Sequence, residues 1–129
     1  MSLGQLALHI ASIPGDMAKL AQPDEFDISG ADFNFAPAAS TAEILTRLDA
    51  SLAAAEAYLA GLDDSAAARS WRMKRGDKEI FAMPRIAMLR MIMFSHWIHH
   101  RGQLSVYLRM LDVPVPSIYG PSADDNPFA

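Results

Sequence analysis

Three of the chain's four histidines stand together as His96, His99 and His100 in the run Ser95-His96-Trp97-Ile98-His99-His100-Arg101. Their spacing carries the first chemical statement. Residues four apart on a helix lie on one face, so His96 and His100 can aim two imidazoles at one point. His-x-x-x-His is a common way for a helix to offer two nitrogens to a divalent metal. His99 is turned about 100° from His100 and does not share that point easily. The plainer reading is a surface histidine pair with no metal, and a third ligand would decide between the two. The one remaining histidine is His9, inside an apolar segment. A histidine so placed is more often a hydrogen-bonded core residue. Because the pair lacks a third ligand, His9 becomes the candidate for it.

Three neutral imidazoles with an open position form a catalytic rather than a closed structural metal site. Such a site suits zinc, nickel or iron, and the ligand set does not choose among them. It can acidify a bound water or stabilise a thiolate. The chain has no cysteine, so a thiol would come from a cosubstrate. The pattern lacks the glutamate of His-Glu-x-x-His and supplies no general base of its own. His99, Asp16 and Asp32 are candidates for that role. Their simpler readings are an outer-face hydrogen bonder and solvated or capping acids. Tyr107 and Tyr119 could donate to a substrate, but local hydrogen bonding is the simpler assignment. Arg101 and Arg109 read as ion-pair or tail anchors. No residue is assigned as catalytic.

These residues need helices to position them. Met83–Leu111 reads as one long helix. Pro84 suits its first position, and Ile86, Leu89, Met93, Ile98, Leu104, Leu108 and Leu111 recur at helical spacing. Gly102, unfavourable by roughly 1 kcal/mol in a helix interior, suggests a close helix approach near the histidines. Ser2 caps a first helix with Leu3, Leu6, Leu8, Ile10 and Ile13 on its apolar face. Pro14 should kink or interrupt it, with a helical segment continuing from Asp16 to Ala21. Ser40-Thr41-Ala42-Glu43 is a capping box opening a helix striped by Ile44, Leu45, Leu48, Leu52, Ala55 and Leu59 and ended by Gly61.

Between the first two helices, Gln22–Ala39 reads as a loop whose Phe26, Ile28, Phe33 and Phe35 staple it to the core or cover a pocket mouth. Asp63–Met83 reads as a short β-hairpin or an extended loop, around a turn at Arg75-Gly76-Asp77. An isolated hairpin is marginal in water, so it must pack on the helices. After Pro114 and Pro116 the tail is extended, with Ile118 and Tyr119 as its anchors.

The length suits a single domain over residues 1–129. No apolar run reaches the ~18 residues of a membrane span, and no secretory leader is evident. The expected location is the cytoplasm. A net charge of −4 and the lack of a long basic patch argue against nucleic acid as a partner.

Two stretches, Ser2–Ala11 and Ser95–Arg109 with its continuation Val113–Asp124, resemble the DinB-like superfamily, which includes the YfiT-type metalloproteins. The resemblance implies an all-α, up-down four-helix bundle and a divalent metal, zinc or nickel above all, held by His9, His96 and His100. It also implies a metal-dependent small-molecule enzyme, a transferase or isomerase using a small thiol, or a hydrolase. A non-catalytic metal-binding or structural dimer module is the alternative. The family carries a full helix before its first ligand, and eight residues precede His9 here. The expectation is therefore three long helices plus a hairpin and tail. The apolar groove left by the fourth helix would be filled by a second copy in a symmetric homodimer, across helices near the His9 segment. Otherwise the loop or hairpin fills it in a monomer.

Overall fold

A computed structural model describes every residue except Phe33 and Phe35. The chain is mostly helical. Helix α1 spans Leu3–Ala21 and α2 spans Thr41–Ala60; strand β1 (Glu25–Asp27) and a single 3₁₀ turn (Ile28–Gly30) lie between them. A one-turn helix α3 (Asp64–Ala68) leads into β2 (Ser70–Arg75) and β3 (Lys78–Pro84). The final helical stretch has three parts: α4 (Arg85–Met88), a π-helical segment (Leu89–Ser95) and α5 (His96–Met110).

Local chemistry sets the ends of these elements. Ser2 and Gln5 form a reciprocal capping box at α1. At α2 the Ser40 hydroxyl accepts from the Glu43 amide at 3.1 Å, and the Glu43 carboxylate accepts from the Ala39 amide at 2.6 Å. Gly61 follows the last residue of α2. Asp63 caps α3, whose helical turn was not expected in a segment read as hairpin or extended loop.

Pro14 does not interrupt α1, contrary to expectation. A proline removes its own N–H and frees the carbonyl four residues earlier, here that of Ile10. The Trp97 indole N–H donates to the Ile10 carbonyl at 3.0 Å, so the lost intrahelical bond becomes a tie between α1 and α5. On the other side of α1, the Ser51 hydroxyl of α2 accepts from the Gly15 amide at 2.7 Å and donates to the Ser12 carbonyl at 3.0 Å. Gly15 allows this approach: a Cβ there would lie 2.9 Å from the Ser51 Cα.

The hairpin turns at Gly76-Asp77, and Gly76 has φ +58°, as a two-residue loop with glycine first requires. The hairpin is not alone. β1 pairs parallel to β2 (Glu25↔Arg72, Phe26↔Met73, Asp27↔Lys74), giving a sheet of order β1-β2-β3. Part of the expected loop is thus a strand, and its Phe26 packs on the core. Phe33 and Phe35 lie outside the described residues.

The main buried cluster sits where the sheet meets the helices. It comprises Ala18 and Ala21 of α1, Ala55 of α2, Trp71 of β2, Met88 of α4, and Leu89 and Met93 of the π segment. Trp71 donates to the Leu20 carbonyl and Tyr58 to the Ala21 carbonyl, each at 3.0 Å. These bonds satisfy acceptors that the end of α1 leaves open. Arg85, 4% exposed, donates to the Ala66 carbonyl and to Asp24, which also pairs with Arg69.

The apolar stripe read from uniform helical spacing holds in part, and Leu104 and Leu108 within it are half-buried. Leu89 and Met93 are buried, whereas Ile86, Ile98 and Leu111 are exposed. The π segment accounts for Ile98, which lies beyond it, whereas Ile86 lies before it. The segment's i→i+5 pairing inserts extra backbone into the turn, and residues beyond it are rotated out of the phase set by Leu89 and Met93. The Ser95 hydroxyl, donating to the Arg90 carbonyl five residues back at 3.0 Å, supports this wider turn. Gly102 makes no close approach, since an added Cβ would meet nothing within 4 Å. The tail is anchored by buried Val115 and by Asp124, which accepts from Arg109 at 2.5 Å and from the Val115 amide at 2.9 Å. Ile118 and Tyr119, the expected anchors, are exposed.

Candidate metal centre

Helix α1 is the central helix, packed on α2 along one side and on the π segment and α5 along the other. His9 leaves α1 toward α5; His96 and His100 leave the first turns of α5 toward α1. The Nε2 atoms of His9 and His96 are 3.1 Å apart, as are those of His96 and His100. One ligand atom from each of the three lies within 4.8 Å of the others.

These distances test the fit of a metal. Two nitrogens bound tetrahedrally at 2.0–2.1 Å from zinc stand about 3.3 Å apart, close to the observed spacing. The donor chemistry agrees. His100 Nδ1 is 2.7 Å from the Gln103 side-chain oxygen. That oxygen can only accept, so the ring proton sits on Nδ1 and Nε2 presents its lone pair to the other two rings. Three imidazole nitrogens gathered at one point, that of His100 with its lone pair turned inward, suit a bound cation.

The electrostatics disfavour protonation of His9 and His96. Burial, then the neighbouring His100 and His96, lowers the His9 pKa to about 4; Asp16 pulls the other way, as the weakest of the four influences. His96 is lowered by burial, then by His100 and His99. Metal ligands must be deprotonated imidazoles, and at neutral pH His9 and His96 already are.

The surrounding side chains hold the rings in place. The Trp97–Ile10 bond joins the residue after His96 to the residue after His9, fixing the two helices beside the site. The Arg101 guanidinium lies over the Trp97 ring, 5.6 Å from its centroid. Neither Trp97 nor Gln103 was picked out from the sequence. Each left a signal: Ile10 is four residues before Pro14, and Gln103 is one helical turn after His100.

The other candidates fall outside the triad. His99 is exposed, with its ring edge-on to that of His100, centroids 5.0 Å apart. Asp32 is exposed, and its carboxylate accepts from the Asn34 amide at 2.8 Å. Tyr107 and Tyr119 are both exposed. Asp16 lines a cleft of about 680 Å³ between α1 and α2, together with Leu8, His9, Ser12, Thr46 and Arg47. No helix is long and apolar enough to cross a membrane among the described residues.

With this geometry in view, comparison with known proteins adds one finding. The DinB family model matches residues 1–126. The chain belongs to the DinB family. No curated protein and no solved structure matches it. Family membership and the clustered histidines together fit a metal-binding protein.

Proposed function

We propose that this DinB-family chain is a divalent-metal-dependent enzyme acting on small molecules, as a thiol-dependent transferase or a hydrolase, with His9, His96 and His100 as the metal ligands. One observation carries the reading: three Nε2 atoms on two helices converge while His9 also opens onto a cleft. Three protein ligands leave a coordination position for substrate or water. Zinc or nickel bound there would acidify a coordinated water or thiol.

The chain's own residues supply the rest. Gln103 orients His100, and Trp97 fixes the spacing of α5 from α1. Arg101 covers the Trp97 ring, and the cleft beside His9 admits the substrate. In this reading the whole chain is one domain, α1, α2 and the last helix form the frame of the family's up-down four-helix bundle, and the protein works in the cytoplasm. The test is turnover of a panel of thiols with electrophiles, and of esters and amides, by zinc- and nickel-loaded protein. Activity that follows metal content and is lost in His96→Ala supports the proposal. Loaded protein that turns over no substrate would contradict the enzymatic part.

A second, non-catalytic reading is a metal-binding structural dimer module, and an exposed stripe along α5 and the end of the π segment supports its dimer. Phe94, Ile98, Gly102, Val106 and Met110 follow at four-residue intervals, and the four large residues among them are 43–72% exposed. Ile98 stands two residues, about 200°, from His96, and the stripe drifts by about 40° with each four-residue step. The stripe is symmetric about Gly102, so a second copy lying antiparallel would set Ile98 against Val106 and Phe94 against Met110 in an isologous contact. Such a homodimer leaves the histidines uncovered and is compatible with either function. Sedimentation of wild type against Ile98→Glu tests it: a dimer that the charge dissociates is expected, and a wild-type monomer at all concentrations would exclude it.

A further inference from the structure

We infer that the cleft beside His9 takes a substrate bearing a single carboxylate, and that Arg47 is the residue that binds it. This inference rests on the metal reading above, because it places the substrate's other end at the histidines.

The cleft runs along the groove between α1 and α2. His9, Ser12 and Asp16 line it at i, i+3 and i+7 of α1, one continuous face. Arg47 reaches across from α2. Its Nε donates to the Ser12 hydroxyl at 2.8 Å and its Nη2 to Asp16 at 2.7 Å. These two bonds hold the planar guanidinium in one orientation, and Nη1 is the remaining donor nitrogen. A guanidinium fixed in this way loses little freedom on binding a further acceptor. Among the described residues lining the cleft, Arg47 is the only lysine or arginine.

The charge of the walls narrows the ligand. Asp16 and Glu43 also line the cleft. Asp16 is already bound to Arg47, and Glu43 accepts from the Ala39 amide. A carboxylate can share the guanidinium with Asp16; against the same two carboxylates and one guanidinium, a dianion such as a phosphate monoester would meet twice the repulsion of a monoanion. The Thr46 hydroxyl offers a neutral polar contact, and Leu8, Ala36 and Ala50 give apolar wall for a short hydrocarbon linker. Length follows from the helix. Ser12 is about 4.5 Å and Asp16 about 10.5 Å along α1 from His9. The group at the histidines and the carboxylate are therefore separated by roughly 5–10 Å, a linker of several carbon–carbon bonds.

The test uses full-length protein loaded with cobalt(II), in which thiolate ligation is read from the charge-transfer absorbance. Mercaptohexanoate is compared with mercaptohexanol, which differs only at the far end. The acid is expected to bind wild type about tenfold tighter or more. Arg47→Met should erase that preference while leaving cobalt content and alcohol affinity unchanged, and Arg47→Lys should retain part of it. Equal binding of acid and alcohol by wild type, or a preference that survives in Arg47→Met, would overturn the inference and leave the metal reading intact. The wild-type comparison decides even if a variant fails to fold. A chain that takes up no cobalt would overturn the metal reading, and this inference with it.

Discussion

The two ends of the molecule are held in different ways. At the sheet end, Trp71, Met88, Leu89, Met93 and Ala21 are each no more than 2% exposed, and the fold there rests on apolar burial. At the histidine end, α5 contributes no buried residue among those described. It is attached by the half-buried Trp97, Leu104 and Leu108 and by directed contacts: the Trp97–Ile10 bond, the convergence of His96 and His100 on His9, and the Arg109–Asp124 pair at its far end. Burial fixes a position without specifying a direction; hydrogen bonds and ligand bonds fix a direction with little burial. A site that must stay open to substrate needs the second kind of support, and the packed sheet end provides the platform for it.

The sharpest break in this contrast is Trp71→Ala. It removes the largest fully buried side chain and the bond to the Leu20 carbonyl. The expected loss is about 3–5 kcal/mol of global stability, read as a lower urea midpoint. His100→Ala at the other end should move that midpoint far less in metal-free protein. Equal losses would erase the distinction.

Trp97→Phe probes the histidine end. The ring is kept, but the buried Ile10 carbonyl loses its donor, at an expected ~1–2 kcal/mol. Because this bond sets the spacing between His9 and His96, metal affinity should fall as well, by on the order of tenfold. The change is read by competition with a chelating dye. A stability loss with unaltered affinity would make Trp97 a packing residue only.

The smallest expected effect is in pH. The folded-state pKa of His9, about 4, lies below the ordinary 6.5, so the unfolded chain takes up its proton first as pH falls. Stability is then lost between about pH 6.5 and 4 and no further below. The carboxylates outside the site behave in a lower window. Glu25, held low by Lys74, and Asp124, held low by Arg109, lose their contributions only as pH falls below the ordinary carboxylate range. Melting of metal-free protein should show a slope in the upper window that is reduced in His9→Gln. An unchanged slope would assign it elsewhere.

Much of this was legible in the sequence where the determinants are local. The caps at Ser2 and Ser40, the turn at Gly76 and the shared face of His96 and His100 each depend on a few neighbouring residues. His9 was found by scarcity, there being no other histidine to complete a triad. What depends on distant parts of the chain was not legible. β1 is three residues, too short for a period, and exists because β2 offers it an edge. The π segment changes the phase of the last helix without any glycine or proline to mark it. The Arg47–Asp16 pair joins two helices whose registry no local pattern reports. At Pro14 the outcome depends on a residue far along the chain: the Ile10 carbonyl that the proline frees accepts from Trp97 and ties α5 in place.

The central claim is that one metal ion is held jointly by α1 and α5, and elemental analysis of purified protein with and without His9 tests it most directly. Wild type is expected to carry close to one divalent metal per chain. His9→Ala should lose most of it after dialysis, because two ligands on one helix bind far more weakly than three on two. Metal at full occupancy in His9→Ala, or none in wild type after exposure to zinc and nickel, would contradict the account.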